Sequence, residues 1–224
     1  MPSVDLMQRS FKYNIIIMKI FGLYPFDSWP KFFTPYALSL YTICTIPTPV
    51  LAVINLIVSE KRAIDIINEN GFMILELFAL IPKFLNFKLY PERTKNAFSS
   101  LNKQIFNSQL PEQDYILEET VWNCRFIFGI FSTSCGLAIL TWACLPLMYE
   151  GRKFPIEVWL PFDPLEDTAV YFSVYLFVCL CVVNGAFDNA SVDTMVALLI
   201  YHASTQIKVL KDTLTHLGKR AEDQ

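Results

Sequence analysis

Long apolar stretches separated by polar segments dominate the pattern of this chain. Four of them, at residues 35–58, 72–91, 126–149 and 168–200, are each about as long as the ~20 residues that a helix needs to cross ~30 Å of hydrocarbon. Core helices of a soluble protein need only one apolar stripe, so four continuous runs are not expected there. The pattern therefore predicts an all-α, polytopic helical membrane protein with a transmembrane domain at residues 35–200.

Mixed segments flank this domain on both sides. Residues 1–34 form an N-terminal segment in which Phe11–Leu23 is predicted as an amphipathic helix at the membrane interface. A helix packed on the body of the protein is the alternative. Residues 201–224 continue as a helix with one apolar face. Nothing later in the sequence would cover that face, so we expect a partial or truncated chain. The face carries Ile207, Leu210, Leu214 and Leu217.

The positions of lysine and arginine predict the orientation of the spans. Thirteen of these residues fall on the side of the N-terminus, four fall on the opposite side, and Lys83 lies within a span. Positive charge is retained in the cytoplasm, which places the N-terminus there. The segment 150–167 then lies outside, and its three prolines predict a stiff loop that folds over. The segment 92–125 lies inside, with a break in the helical path predicted at Pro111.

Charged and polar residues also occur within the spans. Glu76 and Lys83 share one face of the second span, but about two turns of rise separate them. They either line a polar interior, or the span is tilted and Lys83 extends to the head groups. The polar residues of the fourth span are expected to mark its cytoplasmic exit. These are Asn184, Asp188, Asn189, Ser191, Asp193 and Thr194.

Patterns of catalysis and metal binding are missing from the sequence. The two histidines, His202 and His216, are too far apart for a helical metal motif, and no nucleophile elbow, P-loop or dinucleotide fingerprint occurs. We therefore predict no enzymatic activity, no cofactor and no metal. The net charge of −3 argues against a nucleic-acid partner. All six cysteines lie in or beside spans, which indicates no disulfide framework.

A small-molecule site is predicted in the outer halves of the second, third and fourth spans. Large aromatic and small side chains recur there at helical spacing, which suits an apolar cavity. A hydroxyl of Tyr171 or Tyr175, or that of Thr141, is expected to orient the ligand. Packing between helices through the same faces is the alternative. The predicted ligand-binding residues are Ile74, Leu77, Phe78, Cys135, Ala138, Trp142, Tyr171 and Tyr175.

Several sequence features together resemble the insect odorant receptor family of seven-helix receptors with a cytoplasmic N-terminus. One is the Gly-Leu-Tyr-Pro turn at Gly22–Pro25, which follows the first helix. The most specific is Trp-Leu-Pro-Phe-Asp-Pro at Trp159–Pro164, which precedes a tyrosine-rich fourth span. A spaced pattern at the exit of that span comprises Asp193, His202, Gln206 and Leu210.

This resemblance implies a multi-pass receptor of the cell membrane, in the dendrites of olfactory sensory neurons. It implies a non-selective cation channel that volatile odorants gate, assembled as a hetero-tetramer with a co-receptor subunit among membrane lipids. Four of an expected seven transmembrane helices are present. The resemblance also implies that the pore helix is missing and that residues 201–224 begin an anchor domain, so we expect no conduction by this chain alone.

Three other functions are weighed beside this one. The first is a gustatory receptor of the same superfamily. The second is a non-conducting truncated fragment that acts as a membrane interaction protein through residues 201–217. The third is half of a secondary transporter, which would be expected to show an inverted repeat, and none is found between the two pairs of spans.

Overall fold

The computed structural model describes residues 6–24, 32–59, 63–101, 113–149 and 151–222. Within these ranges the chain forms α-helices and short helical turns and no strand, which confirms the prediction of an all-α protein. The break predicted at Pro111 lies outside the described residues, and so does Pro25, the last residue of the predicted turn. The α-helices are α1 (Leu6–Ile20), α2 (Phe33–Leu40), α3 (Pro47–Val58), α4 (Ala63–Leu89), α5 (Pro91–Leu101), α6 (Asp114–Cys144) and α7 (Thr168–Glu222).

The first predicted span is a continuous helical rod made of α2, a π-helical turn at Tyr41–Thr45, and α3. The amide of Ile46 bonds to the carbonyl of Tyr41 at 3.0 Å, five residues back, directly before Pro47. Proline has no amide hydrogen and disrupts the regular helical ladder, so a local change of hydrogen bonding beside it is expected. The wide turn places Tyr41 and Thr45 in the protein interior, where they are 2% and 0% exposed.

Three helical segments among the described residues are long and apolar enough to cross a membrane: Phe33–Val58, Asp114–Met148 and Thr168–His216. They correspond to the first, third and fourth predicted spans. Helix α4 contains the second predicted span but begins earlier, at Ala63, and carries Glu76 and Lys83 within its apolar sequence. The chain is therefore a helical membrane protein, and the second predicted span, at 72–91, stays a prediction.

Helix α7 is the central element of the fold. It has 55 residues, which at ~1.5 Å per residue makes it on the order of 80 Å long, and it packs on α1, α4, α6 and the π-helical turn. The boundary predicted at residue 200 does not interrupt it. At its distal part, Gln113 donates hydrogen bonds to Asp212 at 2.9 Å and Thr213 at 3.0 Å. One rigid element thus joins the predicted transmembrane domain to the predicted anchor segment.

Helix α1 packs on the body of the protein, which was the alternative to an interfacial helix. Phe11, Asn14 and Met18 are at most 1% exposed, and α1 contacts α5, α6 and α7. Asn14 Nδ2 donates to the Ser191 carbonyl and to Thr194 Oγ1, both at 3.0 Å. Because these bonds are buried, they fix the position of α1 along α7.

The segment 151–167 folds back over the helices, as predicted. Ile156 is fully buried, and the amide of Trp159 donates to the Leu51 carbonyl of α3 at 3.1 Å. Arg152 donates to Thr168 Oγ1 at 2.6 Å and anchors the loop to the start of α7. We refer to this end of the helical bundle as the loop end.

Candidate ligand-binding site

An apolar cluster joins α3, α4, α7 and the loop at the loop end of the bundle. All of its buried members are aliphatic, and none carries a charge. Half-buried aliphatic and aromatic residues from the same elements and from α6 pack against it, among them Trp142, Val174 and Phe177. We call the buried set the loop-end cluster, and it consists of Ala52, Ile74, Leu77, Ile156, Val178 and Val182.

Two of the three predicted residues on α4 belong to this cluster. Ile74 and Leu77 are 8% and 4% exposed, whereas Phe78 is 38% exposed and does not belong to it. The i, i+3 spacing of Ile74 and Leu77 thus matches a buried face of α4, and their role in ligand binding stays a prediction. The predicted face was wider than the interface that α4 makes, and this is why Phe78 reaches the surface.

The predicted residues on α6 also differ in burial. Trp142 packs against the loop-end cluster. Cys135 is half-buried, with its sulfur 3.9 Å from the Ala186 carbonyl of α7, whereas Ala138 is exposed. Thr141 is also exposed, and its hydroxyl donates to the carbonyl of Leu137 in its own helix at 2.9 Å.

The two predicted tyrosines of α7 form an aromatic group with Phe154 of the loop. Tyr171 and Tyr175 are 5% and 8% exposed, and their ring centroids lie 5.7 Å apart. The Tyr171 hydroxyl donates to the Lys153 carbonyl at 3.0 Å, and the Tyr175 hydroxyl donates to the Ala143 carbonyl. Because both hydroxyl protons are used by backbone carbonyls, these groups can serve a ligand only as acceptors.

The structure therefore brings together Ile74, Leu77 and Trp142, and it sets the tyrosine pair beside the loop. Phe78 and Ala138 are exposed and take no part in this arrangement. Sequence reasoning missed Val178 and Ile156, which are 1% and 0% exposed in the cluster. The i+3 spacing of Val178 from Tyr175 was a usable signal, whereas a single isoleucine in a proline-rich loop gave none.

Polar residues of α4 and α7 pair next to the cluster. Lys83 Nζ lies 2.7 Å from Asp193 Oδ1 and 2.9 Å from Asn189 Oδ1, and Asn189 Nδ2 donates to the Glu76 carbonyl at 3.1 Å. This pairing with α7 favours the interpretation of a polar interior over extension to the head groups, and the Lys83 side chain is 28% exposed. Lys83 and Glu76 share one face of α4, but the ionic partner of Lys83 lies on α7.

Five of the six polar residues listed for the fourth predicted span are buried, and Asp193 is exposed. Asn184 and Asp188 are 3% and 0% exposed, and Asn184 Nδ2 donates to Thr45 Oγ1 at 3.0 Å. Contacts with other helices thus account for residues that we expected to mark an exit from the membrane. We call this set the polar layer, and it consists of Thr45, Lys83, Asn184, Asp188, Asn189 and Asp193.

Comparison with known proteins places this architecture in a family. A comparison with curated proteins gives no match. Among solved structures, the insect olfactory receptor OR5 from Machilis hrabei has a similar fold, with a TM-score of 0.77 and 19% sequence identity. The similarity covers 89% of this chain and 55% of that one, so this chain spans about half the length of the solved receptor. The sequence profile described as 7tm Odorant receptor matches residues 64–224, well over half of the chain, and the chain therefore belongs to the 7tm odorant receptor family.

Proposed function

We propose that the chain is an odorant receptor subunit that binds neutral volatile molecules at the loop end of its helical bundle. The observation that carries this proposal is the meeting of Ile74, Leu77 and Trp142 from separate helices around one uncharged, aliphatic cluster. Cys135, Tyr171 and Tyr175 are the other proposed walls, whereas Phe78 and Ala138 are exposed and stay predictions from the sequence. The match to the odorant receptor profile favours this role over a gustatory one.

The chemistry of this region favours ligands that bind by shape and apolar burial. Removal of apolar ligand surface from water contributes about 25 cal/mol per Å². The hydroxyls of Tyr171 and Tyr175 each donate a hydrogen bond to a backbone carbonyl, so their oxygens can only accept one from a ligand. They would therefore favour a ligand with a hydroxyl or amine hydrogen. An ester or ketone would bind through its hydrocarbon part alone. The proposal therefore ranks an alcohol above the ketone of equal length.

We further propose that ligand binding acts through α7 on a cation pore formed in a hetero-tetramer with a co-receptor. Support comes from the continuity of α7, which runs from Tyr171 past the polar layer to the predicted anchor segment 201–224. A rigid helix that contacts three other helices can transmit a displacement from one end to the other. The orientation follows from the lysine and arginine distribution, with residues 1–34 and 201–224 in the cytoplasm and the protein in the cell membrane.

The test compares two tryptophans of α6. In Trp142→Ala, the proposed ligand site loses a wall, whereas Trp122→Ala removes a side chain that is 61% exposed and stacks on Phe126 at 4.9 Å. We would measure displacement of an apolar fluorescent probe from the chain in lipid nanodiscs by straight-chain alcohols, ketones and esters. In parallel, we would record odorant-evoked cation current in cells that also express a co-receptor.

We expect Trp142→Ala to change the ranking of ligands or abolish displacement while the amount of folded protein is unchanged. Trp122→Ala should keep the ranking of the unaltered chain. An identical ligand ranking for Trp142→Ala and the unaltered chain would contradict the site. Absence of current in every combination, with ligand displacement intact, would contradict the channel part of the proposal and leave the binding part standing.

A second candidate function has its own structural support. The distal part of α7 presents Ile207, Leu210 and Leu214 with 68%, 58% and 59% of their surface exposed. An apolar stripe of this kind is typical of a surface that contacts another protein. This candidate is a non-conducting interaction protein that binds receptor subunits through residues 201–217. Co-purification with a co-receptor that Leu210→Glu abolishes, without any odorant displacement by the chain, would favour it over odorant binding.

A further inference from the structure

A cavity of about 190 Å³ lies between α3, the loop and α7, beside the loop-end cluster. Thr48 and Leu51 of α3 form one wall, Val158 and Leu160 of the loop form a second, and Ser173 and Phe177 of α7 contribute to a third. None of the eight predicted ligand-binding residues lines it, and its lining comes from α3, the loop and α7 without α4 or α6. It shares Val178 with the loop-end cluster, so it adjoins the proposed odorant site on a different set of elements.

Contacts within the protein hold these walls in place. The bond from the Trp159 amide to the Leu51 carbonyl, at 3.1 Å, fastens the loop to α3 between Val158 and Leu160. Ile156, two residues before Val158, is fully buried in the loop-end cluster. Thr48 is 2% exposed, so its wall belongs to the packed interior. A preformed site loses less conformational entropy on binding than one that the ligand must assemble.

The lining determines which chemistry fits. Among the described residues, no charged side chain lines the cavity, which disfavours carboxylates and ammonium groups because their charge would be desolvated without a partner. The lining includes the hydroxyls of Thr48 and Ser173, and each donates to a backbone carbonyl four residues earlier, Thr48 to Cys44 at 3.1 Å and Ser173 to Ala169 at 2.8 Å. Each oxygen can still accept a hydrogen bond. The lining thus suits an apolar body with one hydroxyl group.

We propose that this cavity is a second small-molecule site, which takes a neutral aliphatic alcohol. An engineered cavity of about 150 Å³ holds benzene, so by simple scaling this one holds about eight non-hydrogen atoms. The inference rests on the proposed function for the class of ligand, a small neutral volatile, and adds a location that the proposed function does not use. Because the alcohol would touch α3, the loop and α7 together, its binding stabilises the loop against both helices.

Photolabelling locates the site directly. The chain in lipid nanodiscs would be irradiated with the diazirine derivative of pentanol, which has about the number of non-hydrogen atoms that the cavity holds. Adducts would be mapped by peptide mass spectrometry, with and without excess pentanol. Two variants reduce the cavity: Val174→Phe enlarges a lining residue, and Ser173→Leu does so at an exposed position where folding is tolerant. Leu176→Phe is the matched control, since Leu176 is on the same helix and 61% exposed.

We expect adducts on Leu51 or Leu160, which line the cavity and do not belong to the loop-end cluster, and we expect excess pentanol to suppress them. Ser173→Leu and Val174→Phe should reduce them about tenfold, the equivalent of ~1.4 kcal/mol, and Leu176→Phe should leave them unchanged. Adducts confined to the Ile74, Leu77 and Trp142 region would overturn this inference and support the odorant site. Adducts at the cavity that excess pentanol does not suppress would also overturn it, because they indicate a lipid chain in the cavity. Suppressible cavity adducts with no effect of Trp142→Ala on ligand ranking would instead contradict the odorant site alone.

Discussion

The loop-end cluster and the polar layer are built from the same two helices by different chemistry. On α4, Leu77 belongs to the cluster and Lys83 to the polar layer; on α7, Val182 and Asn184 separate in the same way. The cluster is held by shape, since every buried member is aliphatic. The polar layer is held by directed hydrogen bonds, such as those from Lys83 to Asn189 and from Asn184 to Thr45, which form in one register of the helices.

This difference has a physical cause in the membrane environment. Lipid tails are as apolar as leucine, so helices gain little from hiding aliphatic surface, and the cluster is stabilised by close packing. A polar side chain has no comparable partner in lipid, and it favours the arrangement in which the other helix satisfies it. Packing therefore fills space at the loop end, whereas the polar layer sets the alignment of α4 on α7. The following predictions test this division, from the largest effect to the smallest.

The largest effect is expected for Leu77→Ala. Leu77 is 4% exposed in the cluster, so its truncation leaves a cavity that the surrounding helices fill only in part. We expect a loss of about 2–3 kcal/mol in the free energy of unfolding, at the lower end for buried leucines because the transfer contribution is small in a membrane. Denaturation in mixed detergent micelles measures it. A loss below about 0.5 kcal/mol would show that the cluster is loosely packed.

A smaller effect is expected for Lys83→Met, which removes the charged group and keeps the apolar stem. The contacts to Asp193 and Asn189 are lost, but the Lys83 and Asp193 side chains are 28% and 51% exposed, so solvent weakens the pair. We expect about 1–2 kcal/mol of destabilisation and a coupling energy of about 1 kcal/mol with Asp193→Asn. Additive effects of the two substitutions would contradict the role of this pair in joining α4 to α7.

Gly185 lies where the two regions meet, and its substitution probes their contact. A Cβ at this position would lie 2.6 Å from Leu77 Cδ2, so Gly185→Ala requires the Leu77 side chain to move. We expect about 1 kcal/mol of destabilisation for the single substitution. In the double variant with Leu77→Ala, the added methyl group occupies vacated space, and the pair should be at least ~0.5 kcal/mol less destabilised than the sum. If the effects of the two substitutions on the free energy of unfolding are additive, α4 and α7 separate readily at this position.

The smallest effect is expected for Leu176→Ala, which serves as the reference for the others. Leu176 lies on α7 between the buried residues Tyr175 and Val178 but is itself 61% exposed. The substitution only reduces the contact of this side chain with lipid, so the free energy of unfolding should change by at most about 0.5 kcal/mol. The same denaturation measurement applies. A large effect would mean that another surface covers this face of α7.

The periodicity of the sequence predicted more of the cluster than of the polar layer. Ile74, Leu77 and Trp142 followed from helical spacing, because a buried helix face repeats every three or four residues whatever it packs against. The same rule included Phe78 and Ala138, which are exposed, because spacing indicates a face but not the width of the interface. The hydroxyls of Tyr171 and Tyr175 were expected to orient a ligand, and their backbone partners could not be foreseen from a list of residues.

The helical class, three of the spans and the family resemblance followed from the sequence, because apolar run length and local motifs are properties of single segments. The pairing of Lys83 with Asp193 and of Asn184 with Thr45 became known from the folded structure. Those partners are 110 and 139 residues apart, and no local pattern specifies which faces of two distant helices meet. That choice depends on how all the helices satisfy packing and hydrogen bonding together, which is a property of the folded chain.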